Sequence, residues 1–379
     1  MQTIRAELGG RLRLADIRLV IGTRPEAIKL KPVADALAAR GIAPTLIFTG
    51  QHPSLDAREF GLDKFARVIL GCPGEEDPHA HVRSVTARLL PHLRRAPDLL
   101  VVQGDTSSAL GGALAGFNGG VPVAHVEAGL RTHDPLLPWP EEEYRTAIDA
   151  GADLLFAPTE LAAANLRAEK VGGEVHVTGN SGIDALLDAA SRLPPPTLRD
   201  GGAPSVLVTC HRRESWRDGL SAIAAAVTEL AADGARVDVI LHPNAYVAGS
   251  MRRLLGHAPG VSLLEPCGHG DILRRMRDAT MVLSDSGGIQ EEAPALGVPL
   301  LVLREKTERP EGVAAGTARL VGTDQVTIVR EARRLLTDPV ARAEMSLSVF
   351  PFGDGGAGGR IAAVISDWLE ERSLTRRLA

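Results

Sequence analysis

At 379 residues the chain is too long for one ordinary hydrophobic core and suits two domains. Hydrophobic residues at 44% and charged residues at 23% are ordinary for a soluble globular protein, while aromatics at 3% leave little with which to build a base- or sugar-stacking surface. A formal net charge of −5, with no basic tract, argues against nucleic acid and anionic membrane as partners.

In chain order, the opening stretch MQTIRAELGGRLRLADIRLV has no apolar core of signal-peptide length. The strand IRLVIGT comes next, then a helix over EAIKLKPVADALAAR and the strand APTLIFTG. A helix over HVRSVTARLLPHLRR leads to the strand DLLVVQG, a helix of small residues, SSALGGALAGF, and the strand VPVAHVE. DLLFAPT and ELAAANLRAEK form a further strand–helix pair. Residues 193–204, LPPPTLRDGGAP, are rich in proline and glycine and mark a linker. The pattern then restarts with SVLVTCH, a helix near GLSAIAAAVTELAADG, and RVDVILH. VSLLEP, TMVLSDS and PLLVLR follow, separated by helices.

These strands are continuous apolar runs, the pattern of strands buried on both faces of a parallel sheet. The expected fold is α/β, with two Rossmann-like doubly wound parallel-sheet domains in tandem. The final helix, in GRIAAVISDWLEE, can pack on either; the expected division is 1–180, completed by 360–379, and 181–359. No apolar run approaches the roughly 20 residues of a membrane span. Cys72, Cys210 and Cys267 have no CxxC spacing and read as free thiols of a reducing, cytoplasmic compartment, with neither a zinc site nor a disulfide framework.

Ligands of doubly wound sheets lie beyond the carboxyl ends of the strands, so residues just after strands are the candidates. Gly22 ends the first strand, and the helix begins near Pro25, where a missing N–H costs nothing. The N–H groups of that turn form an anion site, to which Arg24 and Lys29 add charge; the plain alternative is a turn with solvated charges. The spacing is not GxGxxG, so no dinucleotide loop is indicated. Asp285-Ser286-Gly287-Gly288 opens a helix after an apolar strand, and its glycines admit a phosphate to the helix N-terminus while Ser286 donates. Glu291 and Glu292 lie on the first turns, and one of them is placed to bridge ribose hydroxyls; the alternative is a helix with dipole-favoured acids. Arg309, in TERPEG after the next strand, adds a phosphate contact.

Asp105 follows DLLVVQG, Glu127 ends VPVAHVE, and Glu141, Glu142 and Glu143 begin a helix after PLLPWP. A lone acid after a strand is usually a cap, but several in one domain point to an acid/base cluster. Glu142 and Glu143 read as a solvated face, and Glu141, nearest the proline turn, is favoured. His211, followed by Arg212 and Arg213, ends the first strand of the second domain and faces the cleft, with a structural hydrogen bond as its alternative. His125 and His242 read as structural.

GTRPEAIKLKPV, TGQH, VQGDTSS, VAHVEAGLRT, PWPEEEYRT, VTGNSGIDAL, CHRRES, DSGGIQEEAPALG and TERPEG occur in this order, across about residues 17–324. Together they closely resemble the non-hydrolysing UDP-N-acetylglucosamine 2-epimerases. The resemblance implies a glycosyltransferase-B-like fold with a UDP-sugar in the interdomain cleft, no cofactor, no metal, and a homodimer. It implies loss of the C2 proton with expulsion of UDP, giving a 2-acetamidoglucal, and return of UDP with protonation of the other face. Proton transfer then falls to, or is supported by, Asp105, Glu127, Glu141 and His211. The nucleotide falls to Arg24, Lys29, Arg212, Ser286, Gly287, Gly288, Glu292 and Arg309. Physically, a weakly acidic C2 proton needs a base held close, and departing UDP needs cations and a helix N-terminus.

Two stretches depart from the family. TGQHPSLDAREF lacks the basic residue, glutamine and methionine-leucine pair that usually follow TGQH and reads one residue short, so weak or absent activation by a second UDP-N-acetylglucosamine is expected. After VSLLEP, CGHGDIL puts His269 and Ile272 near positions where the family carries tyrosine and phenylalanine. The rival readings are a glycosyltransferase of the same fold, a hydrolysing epimerase, a catalytically inert UDP-sugar-binding regulator, and an epimerase of a modified UDP-sugar.

Overall fold

Most of the apolar runs become strands buried on both faces, and the computed structural model, which describes residues 15–194, 203–210 and 218–378, arranges them in two all-parallel sheets. The first contains β1 (Ile17–Ile21), β2 (Thr45–Phe48), β3 (Arg67–Ile69), β4 (Leu99–Gln103), β5 (Val123–Val126), β6 (Leu154–Ala157) and β7 (Glu174–Val177), in the order β3-β2-β1-β4-β5-β6-β7. The second contains β8 (Ser205–Thr209), β9 (Arg236–Ile240), β10 (Val261–Leu264), β11 (Met281–Ser284), β12 (Leu300–Val302) and β13 (Ala318–Leu320), in the order β10-β9-β8-β11-β12-β13. Strand order reverses between β1 and β4 in one sheet and between β8 and β11 in the other. In register, Leu19 pairs with Val101 and Val282 with Leu207. Crevices open at such reversals, beyond the carboxyl ends of the strands. The turns after β1, β4 and β11, with Arg24, Asp105 and Ser286, therefore stand at the two crevices.

Local chemistry explains the helices beside them. Helix Arg24–Ala39 starts at a capping box: the Thr23 side chain accepts from the N–H of Glu26, and the Glu26 carboxylate answers the Thr23 N–H. The small residues of helix Ser107–Gly119 permit close approach on both sides. A Cβ on Gly111 would lie 2.8 Å from Val85 Cβ, and one on Gly116 would lie 2.6 Å from Val123 Cγ2.

Ile361, Ala362, Ile365 and Trp368 of the last helix, Ala357–Leu378, pack into one core with Leu19, Val101 and Leu30. Ile183 and Leu186 of helix Ser181–Ser191 pack instead with Leu207, Val282 and Leu300 of the second sheet. No helix among the described residues is long and apolar enough to cross a membrane.

Candidate functional site

The turn after β1 differs from the sequence expectation. Its N–H groups at Gly22 and Thr23 donate to Glu26 Oε2 at 2.7 and 2.6 Å, and Thr106 Oγ1 donates to Glu26 Oε1 at 2.6 Å. The anion held there belongs to the chain itself. Burial raises the Glu26 pKa, against the pull of those hydrogen bonds. The signal was present in the sequence as T-x-x-E, a capping box. Arg24 turns outward, pairing with Glu59 at 2.8 Å and lying 5.5 Å from the Phe60 ring centroid.

Lys29 reaches inward and meets the second domain. Its Nζ lies 2.7 Å from Glu127 Oε1 and 3.0 Å from Glu291 Oε2. Arg309 comes to the same pair from the other side, with Nε 2.6 Å from Glu291 Oε1 and Nη2 3.0 Å from Glu127 Oε1. Arg309 also pairs with Glu308, whose other oxygen takes Arg304 Nη1 at 2.9 Å. Gln103, the last residue of β4, donates to Glu127 Oε2. All four central side chains are buried, which is tolerable only because each charge meets an opposite one. Burial lifts the Glu127 carboxyl above the ordinary range, and Glu291 lifts it further, while Lys29 and Arg309 restrain it. For Lys29, burial opposes the ammonium, but Glu127 and Glu291 outweigh it and hold it charged.

The backbone at Glu127 is unusual. Its φ is +72°, in the left-handed region, and its N–H and that of Ala128 both donate to the Phe156 carbonyl, at 3.0 and 3.1 Å. A non-glycine residue holds that conformation only where the surroundings impose it, and such positions gather at functional sites.

Asp105 is fixed by Arg145, whose Nε lies 3.0 Å from Asp105 Oδ2. Arg145 Nη1 lies 3.0 Å from Glu142 Oε2, and Glu142 Oε1 accepts from the N–H groups of Thr132 and His133, both at 2.9 Å. The expectation of a solvated face at Glu142 is therefore corrected: this carboxylate is buried and organises the loop before its own helix. Glu143 is exposed, and Glu141 is half-buried at the first position of helix Glu141–Gly151.

Helix Gly287–Leu296 begins without a side-chain cap from Ser286. A Cβ on Gly287 would lie 2.8 Å from Arg309 Nη1, and one on Gly288 would meet nothing nearer than Ser286 Oγ at 4.0 Å. One glycine thus admits the guanidinium, and the other meets no closer neighbour among the described residues. Of the two acids here, Glu291 enters the buried cluster, whereas Glu292 Oε1 pairs with His269 Nε2 at 2.7 Å. His211, Arg212 and Arg213 lie outside the described residues.

His125 takes a structural place. Its Nδ1 lies 2.6 Å from Asp149 Oδ1 and its Nε2 is 2.8 Å from the Gly104 carbonyl. Likewise, His242 Nδ1 accepts from the Asn244 N–H at 2.9 Å. Asp149 is a residue that sequence reasoning missed: its Oδ2 also accepts from the Gly129 N–H at 3.1 Å and pairs with Arg131 at 2.8 Å. Among the described residues, no group of three or more histidines, cysteines or acids is arranged to hold a metal ion.

Residues 35–366 match the family described as UDP-N-acetylglucosamine 2-epimerase. The Escherichia coli (strain K12) UDP-N-acetylglucosamine 2-epimerase is 39% identical over 372 residues, covering 92% of this chain and 97% of that one. The crystal structure of UDP-GlcNAc 2-epimerase from Neisseria meningitidis bound to UDP-GlcNAc superposes with a TM-score of 0.88 at 34% identity, over 93% of this chain and 100% of that one. The enzyme from Methanocaldococcus jannaschii, in complex with UDP-GlcNAc and UDP, gives 0.82 at 31% identity, over 93% and 99%.

Proposed function

The chain belongs to the UDP-N-acetylglucosamine 2-epimerase family, and from that premise we propose that it interconverts UDP-N-acetylglucosamine and UDP-N-acetylmannosamine by elimination and re-addition of UDP. The observation that carries this reading is the meeting of Lys29 and Glu127 from one domain with Glu291 and Arg309 from the other, beside an uncapped helix N-terminus. A base removes the C2 proton as the C1–O bond to UDP breaks, leaving the 2-acetamidoglucal. UDP then re-forms that bond while a proton is delivered to the opposite face of C2.

Glu127, whose carboxyl burial lifts above the ordinary range, is the proposed proton-transfer group nearest the cations, and Asp105, Glu141 and His211 complete the proposed acid/base set. Arg309, Lys29, Arg24, Arg212, Ser286, Gly287 and Gly288 take the diphosphate, where cations and helix N–H groups stabilise the charge of departing UDP. Glu292 takes the ribose. Reaction in D2O tests the chemistry: each epimer formed should carry deuterium at C2. Product with only protium there rejects elimination, and unchanged UDP-N-acetylglucosamine favours a glycosyltransferase.

The same proposal divides the chain into 1–180 with 360–379, and 181–359. It is supported by the last helix packing in the first core and Ser181–Ser191 packing in the second. A homodimer in the cytoplasm belongs to it as well, the compartment supported by free thiols at Cys72, Cys210 and Cys267.

Regulation follows from the segment after β2. Gln51 Oε1 accepts from Ser108 Oγ at 2.7 Å, the His52 N–H donates to the Gly22 carbonyl at 3.0 Å, and Pro53 has no N–H to offer. Beyond it, Asp56 caps the short helix Ala57–Phe60, whose Glu59 holds Arg24. Such internal commitments leave few groups for an effector sugar nucleotide, which acts only through differential affinity for two states. Turnover started from UDP-N-acetylmannosamine alone should be prompt and linear. A lag abolished by a trace of UDP-N-acetylglucosamine would show that activation survives.

A further inference from the structure

We propose that His269 is a positioning residue of the nucleotide site, holding the Glu292 carboxylate toward the ribose and balancing its charge beside the diphosphate. This rests on the reading above, that a UDP-sugar binds before helix Gly287–Leu296.

Geometry comes first. His269 opens helix His269–Arg277, and its Nε2 lies 2.7 Å from Glu292 Oε1, both side chains being largely buried. A hydrogen bond of this length to a carboxylate is charge-assisted and directional. It fixes one carboxylate oxygen and leaves the other to accept from a ligand hydroxyl. The two helices do not depend on the bond for their packing. Leu273 and Met276 of one share a core with Ile289 and Ala293 of the other.

Electrostatics supplies the second half. A bare carboxylate one and a half turns into a phosphate-binding helix repels the phosphates, and an imidazolium at 2.7 Å cancels that repulsion. Glu292 pairs with His269 from helix Gly287–Leu296, and the charge of Arg24, on helix Arg24–Ala39, also acts on it although that side chain pairs with Glu59. On His269's own helix, Asp271 pairs with Arg274 at 3.3 Å. From helix Ser181–Ser191, Asp184 accepts the Ala357 and Gly358 N–H groups, and Asp188 pairs with Arg192. Burial pushes the imidazole pKa down, but the Glu292 charge and hydrogen bond push it up by more, against Arg24, so it ends above 6.5. The imidazolium–carboxylate pair is therefore complete below that raised value and loses its charge as pH rises through it. The diphosphate of a UDP-sugar stays ionised throughout this range.

The test is KM and kcat for UDP-N-acetylglucosamine in wild type, His269→Gln and His269→Ala, from about pH 6 to about pH 9, the range in which a histidine titrates. Wild-type KM should rise several-fold across that range. His269→Gln keeps a donor without a charge, so its KM should be flat with pH and meet the wild-type value at the alkaline end. His269→Ala should raise KM about tenfold at the acid end, the loss expected for a charge-assisted hydrogen bond, with kcat changed much less. Superimposable wild-type and His269→Gln profiles would overturn the inference, as would a fall confined to kcat. Circular dichroism checks the folding of the alanine variant, and the glutamine variant decides if alanine does not fold. Absence of any epimerisation by the wild type would reject the epimerase reading itself; normal epimerisation with unshifted KM in both variants would reject only His269.

Discussion

Replacing Glu127 with glutamine is expected to lower kcat by about 10²-fold or more, the range for a lost acid/base group, with UDP affinity little changed. Glu127 lies between the two cations of the cluster, with Lys29 at 2.7 Å and Arg309 at 3.0 Å, and its backbone is held at φ +72°. Glutamine keeps the shape and one acceptor oxygen for Lys29 and Arg309, turns the other oxygen into an NH2 facing Gln103, and cannot ionise. Removing this negative charge frees Lys29 and Arg309 to turn toward a diphosphate, which compensates for whatever the carboxylate itself gives the ligand. Ground-state binding should therefore hold while turnover falls. Asp105→Asn and Glu141→Gln should fall in the same range.

The pH profile distinguishes Glu127 from the other two. Burial and Glu291 hold its carboxyl above the ordinary value of 4.5, so the base form is lost as pH falls through that raised value. The acid limb of kcat/KM should therefore lie above 4.5 in the wild type and disappear in Glu127→Gln. Near-wild-type turnover would remove Glu127 from the chemistry. A large loss that preserves the acid limb would assign the limb to another group.

What could be read from the chain and what could not follow from physical range. The inner strands were legible because burial on both faces writes an uninterrupted apolar run, whereas the partly exposed edge strands β3, β7 and β13 write none and were not expected; the crevice residues were legible because doubly wound sheets place ligands after strands. The capping box at Thr23 and Glu26 was equally local and was there to be found. Glu142 was not. Three successive glutamates look alike locally, and only Arg145 with the Thr132 and His133 N–H groups decides which one is buried. Glu291 and Glu292 likewise differ by one helical step, about 100° around the axis. Whether Lys29 or His269 receives each depends on how two domains meet and how two helices pack. Charge partners far apart in sequence leave no periodic mark.

Asp149 shows the same limit, and it carries the largest stability prediction. Its carboxylate has no exposure, and it joins His125 at 2.6 Å, Arg131 at 2.8 Å and the Gly129 N–H at 3.1 Å. Gly129 is itself constrained: φ is +84°, and a Cβ there would collide with the Ala162 carbonyl. Asp149→Ala should therefore cost about 3–5 kcal/mol, the usual cost of breaking a buried ion pair by removing one partner. Arg131 keeps Glu169 at 2.7 Å, which sets the lower end of that range, but nothing replaces the acceptor for His125 and Gly129. Burial alone would raise the Asp149 pKa, yet His125 and Arg131 outweigh it and hold it below 3.8. Its ionised form therefore contributes its full stability above 3.8, and that contribution fades as pH falls through the depressed folded value. Urea unfolding at neutral pH should show a clearly lower midpoint for Asp149→Ala, and the gap should persist at mildly acid pH. An unchanged midpoint would mean that the network holds no stability. Because His125 Nε2 also binds the Gly104 carbonyl at 2.8 Å, one residue before Asp105, Asp149→Asn should lower kcat even where the protein remains folded.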